Sequence, residues 1–158
     1  MGPRKFLHYG LLRKAKTGKE LVAFLFNDFL LLTYPSRSVA PQFHFDKHHN
    51  IKLRLYKKPI FLDEIDVLEW DGNGGKRKNS TQITNSDVNS KEFGIEFLLD
   101  NQDYGSKIMM FEAQNIHDRK LWLQNLKEAA EKYREKVEQD KTKKNSGKKS
   151  FYVYYILA

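Results

Sequence analysis

Between Leu21 and Tyr34 two apolar runs, Leu21–Phe26 and Phe29–Tyr34, flank the dipeptide Asn27-Asp28. Runs of six residues are too short for helices that must bury a face, and Asn-Asp favours a turn, so the segment predicts a tight antiparallel hairpin. Upstream, Phe6–Lys14 alternates imperfectly and is followed by Lys16-Thr17-Gly18-Lys19, which predicts a further strand and turn and extends the hairpin to a three-strand meander.

The remaining chain repeats this logic and then departs from it. Ile51, Leu53 and Leu55 alternate with Lys52, Arg54 and Tyr56, the period of a half-exposed strand. Pro59 ends that strand, and Ile60–Trp70 reads as the next, with a kink. Phe93–Leu99 and Ile108–Ala113 complete a set of seven, with Tyr104-Gly105-Ser106 turning the chain between them. Two stretches, Pro35–Asn50 and Asp71–Ser90, have no apolar period and predict long loops. Asn115 predicts a helix N-cap with Asp118 in the first turn. Leu121, Trp122, Leu126, Ala129, Ala130 and Tyr133 then follow at spacings of three and four, so one helix is expected over about 115–138. The expected architecture is mainly β, a seven-strand antiparallel sandwich or barrel capped by a C-terminal helix. It forms one domain over 1–140, followed by a basic, flexible tail over 141–158.

Charge is unevenly placed. The formal net charge is +8, and Lys141, Lys143, Lys144, Lys148 and Lys149 follow the last acid, Asp140. Arg4, Lys5, Arg13, Lys14, Lys16 and Lys19 all precede the first acid, Glu20. Such a pole attracts phosphates, anionic headgroups or acidic protein surfaces. After the lysines comes Phe151–Ala158, aromatic and β-branched. Its readings stay open between an added edge strand, a membrane-touching foot, and an artefact of truncation or splicing.

Sites for chemistry are not legible. His44, His48 and His49 lie in a polar loop with Asp46, which reads as a solvated loop and not a metal site. Gly72-Asn73-Gly74-Gly75 is followed by no helix, so it is not a nucleotide cradle. Asp63, Glu64 and Asp66 read as the exposed face of a strand. No catalytic residue, metal or cofactor is expected. No helix concentrates cations on one face, and no nucleic-acid partner is expected despite the basic composition. The absence of cysteine, of an apolar run of about 18 residues and of an N-terminal apolar stretch leads to the expectation of a cytosolic monomer that touches membranes only peripherally.

Gly10-x-Leu12-x-Lys14 resembles the first-strand signature of pleckstrin-homology domains, and Trp122 occupies the place of that family's helix tryptophan. The hairpin Phe24–Thr33 is similar to that of the subset attached to Dbl-type exchange factors for Rho GTPases. Gly2–His8 with Leu55–Leu62 resembles the domain of an endocytic scaffold with exchange activity toward Cdc42. The resemblance covers about Pro3 to Lys136. It implies a non-catalytic module beside a helical exchange domain, with Trp122 packed on the sheet and plugging one open end. Its implied partners are phosphoinositides or other anionic lipids, the adjoining exchange domain and a Rho-family GTPase.

Tight lipid binders of the family add a Lys/Arg-x-Arg pair in the second strand. Here Lys14 is kept, but the paired positions align with Glu20 and Val22. Lys14, Lys16 and Lys19, with Arg37 and Lys47 from the next loop, are therefore expected to bind anionic lipid weakly and with little discrimination. The alternatives are lysines that serve only solubility, and a protein-interaction domain with no lipid role.

Overall fold

A computed structural model of the protein describes residues 2–39, 51–70, 76–77, 90–98 and 107–157. The chain folds as β1 (Phe6–Lys14), β2 (Glu20–Phe26), β3 (Phe29–Pro35), β4 (Leu53–Leu55), β5 (Ile60–Phe61), a 3-10 turn (Leu62–Glu64), β6 (Ile65–Trp70), β7 (Lys76–Arg77), β8 (Glu92–Phe97), β9 (Ile108–Glu112) and α1 (Ile116–Leu157). All strand pairs are antiparallel, in the order β4-β3-β2-β1-β9-β8-β6-β7, with β5 pairing β3 beside β4. The protein is thus mainly β with one C-terminal helix, as the sequence predicts.

The described residues hold nine strands against an expected seven, and the difference has local causes. The Ile60–Trp70 kink is a 3-10 turn that splits the segment into β5 and β6, and it carries Asp63 and Glu64 off the strand face. Asp66 stays in β6, where its Oδ1 accepts from Arg134 of the helix at 2.7 Å. The second addition is β7, a two-residue strand within the stretch read as a loop.

Alternation along β1 and β2 divides two apolar clusters. Leu12, Leu21, Ala23 and Leu25 face the main core with Leu30, Leu32, Phe93, Ile95 and Phe111. Leu11 and Val22 point the other way, into a smaller cluster with Val39, against which Tyr9, Phe24, Ile51 and Leu53 pack. The loop after β3 therefore begins by folding back on the sheet. The sheet buries apolar groups on both sides, which explains why β2 and β3 are nearly continuous hydrophobic runs. The buried Thr33 hydroxyl is satisfied: its Oγ1 donates to the Val22 carbonyl at 2.7 Å.

The helix begins as expected. Asn115 Oδ1 accepts from the Asp118 N–H at 2.8 Å, and Asp118 Oδ2 accepts from the Gln114 N–H at 3.3 Å, so reciprocal side-chain bonds satisfy two donors at the helix start. Trp122 is fully buried, stacked on Phe93 with centroids 6.5 Å apart and edge-on to His8 at 4.6 Å. The helix does not end near 138 but continues to Leu157. Among the residues whose side chains are described, its apolar stripe ends at Val137, beyond which Lys141 pairs with Glu138 at 3.0 Å and Thr142 Oγ1 donates to the Glu138 carbonyl at 3.0 Å.

Candidate functional site

Two strand ends and a tight turn build a cationic corner. The Gly18 N–H donates to the Lys14 carbonyl at 2.8 Å, and the Lys14 N–H donates to the Lys19 carbonyl at 2.9 Å. Closing the turn this way requires a left-handed residue, supplied by Gly18 at φ 68°. Lys14 and Lys19 consequently continue the inward-facing rows of β1 and β2 past the last core leucines, Leu12 and Leu21.

What meets them there is aromatic. Lys14 Nζ donates to the Tyr56 hydroxyl at 2.8 Å and lies 5.2 Å from the centre of that ring. Lys19 Nζ lies 4.6 Å from the centre of the Tyr34 ring and 5.4 Å from that of Tyr56. Both tyrosines pack their inner edges on the main core, so the rings are fixed platforms for two ammonium groups. Sequence reasoning missed this pair. Tyr56 reads as the exposed phase of its strand, with Leu55 inward, and the structure inverts this: Leu55 is 61% exposed and Tyr56 packs inward. Ile51 and Leu53 pack on the second cluster, on the other side of the sheet, so the alternation itself holds and places Tyr56 on the main-core side.

The remaining predicted site residues differ in placement. Lys16 lies exposed in the hairpin turn, and Arg37 is exposed just after β3. Lys47, with His44, Asp46, His48 and His49, lies outside the described residues. Val22 is fully buried in the second cluster, and Glu20, on the same side of β2, accepts from Ser38 Oγ at 3.0 Å and from the Val39 N–H at 3.2 Å. The acid is turned away from Lys14 and Lys19 and pins the next loop. The cation that shares a face with Lys14 is Lys19, immediately before β2 and one residue before the aligned pair.

A cleft of about 780 Å³ lies at the opposite pole, between the Gly2–Lys5 arm and α1. Of the four cations that line it, Arg4 is bound to Asp28 by bonds of 2.7–3.1 Å and Lys132 is paired with Glu128 at 2.6 Å, and the other two are Lys5 and Lys136. Among the described residues no three His, Cys, Asp or Glu side chains come together to hold a metal, and no helix is long and apolar enough to cross a membrane.

Comparison with known proteins agrees with this architecture. Residues 1–151 match the family profile described as Pleckstrin homology domain. The chain is 37% identical to mouse Intersectin-2 over 170 aligned residues, which cover all of this chain and 9% of that protein. It is 36% identical to human Intersectin-1 over 148 residues, covering 91% of this chain and 7% of that protein. The chain thus spans less than a tenth of the curated relatives it matches. A crystal structure of human RhoA in complex with a DH/PH fragment of PDZRHOGEF superimposes with a TM-score of 0.51 at 18% identity, covering 82% of this chain and 29% of the other. A complex of PDZ-RhoGEF DH/PH domains with GTP-gamma-S activated RhoA gives 0.52 at 16% identity, covering 82% and 30%.

Proposed function

The chain belongs to the pleckstrin homology family, and on that premise we propose that it is a non-catalytic, membrane-targeting and regulatory module of a Rho-family, Cdc42-type guanine nucleotide exchange factor. In this reading it works on the cytosolic face of membranes. It binds phosphoinositide or other anionic headgroups weakly through Lys14, Lys16 and Lys19, with Arg37 and Lys47 reaching in from the following loop.

The observation that carries the reading is the pair of ammonium groups on the Tyr34 and Tyr56 rings at one end of the sandwich. A phosphate is held best by donors that converge before it arrives, because ordering them at binding costs side-chain entropy. The tyrosines supply that order for Lys14 and Lys19. Neither residue offers the fork with which arginine grips phosphate in two places, so the contact is a point-charge attraction, salt-sensitive and tolerant of headgroup type. Each cation near an anionic surface contributes roughly 1 kcal/mol. Three lysines therefore make a co-anchor that works together with other domains.

Liposome co-sedimentation at about 0.15 M salt tests this, using neutral, phosphatidylserine-containing and phosphatidylinositol-bisphosphate-containing vesicles. The native chain is compared with Lys14→Ala/Lys16→Ala/Lys19→Ala. Binding that is selective for anionic vesicles and reduced in the variant is the expected result. Unchanged binding in the variant would remove the hairpin from the reading.

A specific observation also favours a second reading, contact with a protein. Phe6 (53%), Leu7 (43%) and Phe61 (40%) are exposed at the pole away from the lysines. Phe6 lies against Phe26, Phe26 against Phe29, and Phe29 against Phe61, which makes a continuous aromatic belt. An adjoining exchange domain, a Rho-family GTPase or another scaffold segment would cover it. This reading needs no lipid.

A further inference from the structure

The helix leaves the domain well before it ends. Among the helix residues whose side chains are described, Val137 is the last packed on the main core, and Glu138 through Lys144 are all exposed. Seven consecutive helical residues sample every side of a helix at 100° per residue, so this stretch stands clear of the sheet. The helix continues to Leu157, which makes the extension about 30 Å long at about 1.5 Å per residue.

Its direction is set by three contacts. Trp122 lies against Gly10, Tyr133 lines a cleft with Arg4 and Lys5, and Lys136 reaches Gly2. The helix therefore runs antiparallel to β1, away from Lys14. The extension leaves at the pole opposite the lysine hairpin.

We propose that this extension is a separate membrane-contact element, with the lysines after Asp140 lying over an anionic headgroup layer and Phe151–Leu157 entering the interface. The sequence of the extension fits one kind of surface. Five lysines follow the last acid, and Phe151-Tyr152-Val153-Tyr154-Tyr155-Ile156-Leu157 then contains no charged residue. As a helix that run is apolar or aromatic on every side, whatever its rotation. It is too short to span: about 10 Å of helix against a hydrocarbon core of about 30 Å. It suits the depth at which tyrosine is favoured, its ring among acyl chains and its hydroxyl in the headgroups.

Cations ahead of an apolar run match an anionic bilayer, which offers negative charge at the surface and apolar volume beneath it. A second copy of the chain fits poorly. The apolar positions are contiguous and do not recur at heptad spacing, and two parallel extensions would bring their lysine blocks together. A soluble polyanion satisfies the lysines but offers nothing to the apolar run. Asn145, Ser146 and Gly147 are poor helix formers, so a surface that supports the helix there stabilises it.

This inference does not rest on the hairpin reading, and the test separates them. The full chain, Phe151→Ser/Tyr154→Ser/Ile156→Ser, Lys14→Ala/Lys16→Ala/Lys19→Ala and the combination are sedimented with phosphatidylcholine vesicles with and without phosphatidylserine. Thermal melts show that the core is intact. The tail substitutions are expected to lower affinity for phosphatidylserine vesicles about tenfold, in the native and the hairpin-substituted backgrounds alike. A charge reversal, Lys143→Glu/Lys144→Glu/Lys148→Glu/Lys149→Glu, is expected to abolish the preference for phosphatidylserine that remains in the hairpin-substituted chain. Tail variants that bind as the native chain does would overturn the proposal. So would a dimer in sedimentation velocity that the tail substitutions dissolve while vesicle binding is unchanged, since the occupant would then be a second copy. Loss of binding confined to the hairpin variant would support the hairpin and overturn the tail.

Discussion

A Cβ at Gly10 would stand 3.3 Å from Nε1 and 3.4 Å from Cζ2 of Trp122. The strand and the helix meet at this point with no side chain between them. The indole is fully buried, stacked on Phe93 and edge-on to His8, so it has little room to retreat. Gly10→Val is predicted to destabilise the domain by about 1–3 kcal/mol through overpacking. Trp122→Ala is predicted to cost about 3–5 kcal/mol through the void it leaves. Urea denaturation followed by far-UV circular dichroism measures both. A Gly10→Val midpoint equal to the native one would show that the indole moves freely.

The same interface makes stability depend on pH. Burial against Trp122 holds the His8 imidazole below its ordinary value of 6.5, with the Asp118 carboxylate opposing the shift. His8 Nε2 has no hydrogen-bond partner among the described residues to favour its charged form. The unfolded chain therefore binds a proton at His8 more readily than the folded one. The stabilisation is fully present above about pH 6.5 and is lost as pH falls through the lowered folded value. Asp118 has the opposite sign. Desolvation raises it above 3.8, so its protonation favours the folded state at more acidic pH. The prediction is a urea midpoint that falls between about pH 7.5 and about pH 5.5. In His8→Phe, which keeps a ring against the tryptophan, that fall should be reduced. An equal fall in both proteins would assign the dependence elsewhere.

Much of this architecture is written locally. Asn27-Asp28 between apolar runs, Gly18 in the lysine turn and Asn115 before an amphipathic run are each decided by a few neighbouring residues. The aromatic platform is not. Tyr34 and Tyr56 are far apart in the chain, and only the β3–β4 pairing brings them under Lys14 and Lys19. The helix end was illegible for a different reason. An apolar stripe reports where a helix is packed and stops reporting when the helix leaves the sheet, so the stripe that ends at Val137 marked the edge of the domain core and not the end of the helix.

The start of the helix provides a smaller test. Asn115 Oδ1 satisfies the Asp118 N–H, which has no partner inside the helix. Asn115→Ala is predicted to destabilise the domain by about 0.5–2 kcal/mol, and Asn115→Asp to cost far less, because a carboxylate accepts the same bond and suits the positive end of the helix dipole. Thermal unfolding of the three proteins side by side decides it. Equal losses in both variants would mean that the side-chain bond contributes nothing measurable.

Tyr56 distinguishes an organised cationic corner from three solubilising lysines. It touches both inward lysines, through its hydroxyl for Lys14 and through its ring face for Lys14 and Lys19. Tyr56→Phe keeps the ring and removes the hydroxyl, which frees one Lys14 donor for a phosphate, so binding to phosphatidylinositol-bisphosphate vesicles is predicted to stay within about twofold of native. Tyr56→Leu keeps apolar volume but removes the ring face. With about 0.5–1 kcal/mol for each of the two exposed cation–π contacts, its affinity is predicted to fall by up to about fivefold to thirtyfold, with the net charge unchanged. If lysines act only through total charge, Tyr56→Leu binds as the native chain does. A loss in Tyr56→Leu that matches the triple lysine substitution would instead mean that ordering, more than charge, sets the affinity.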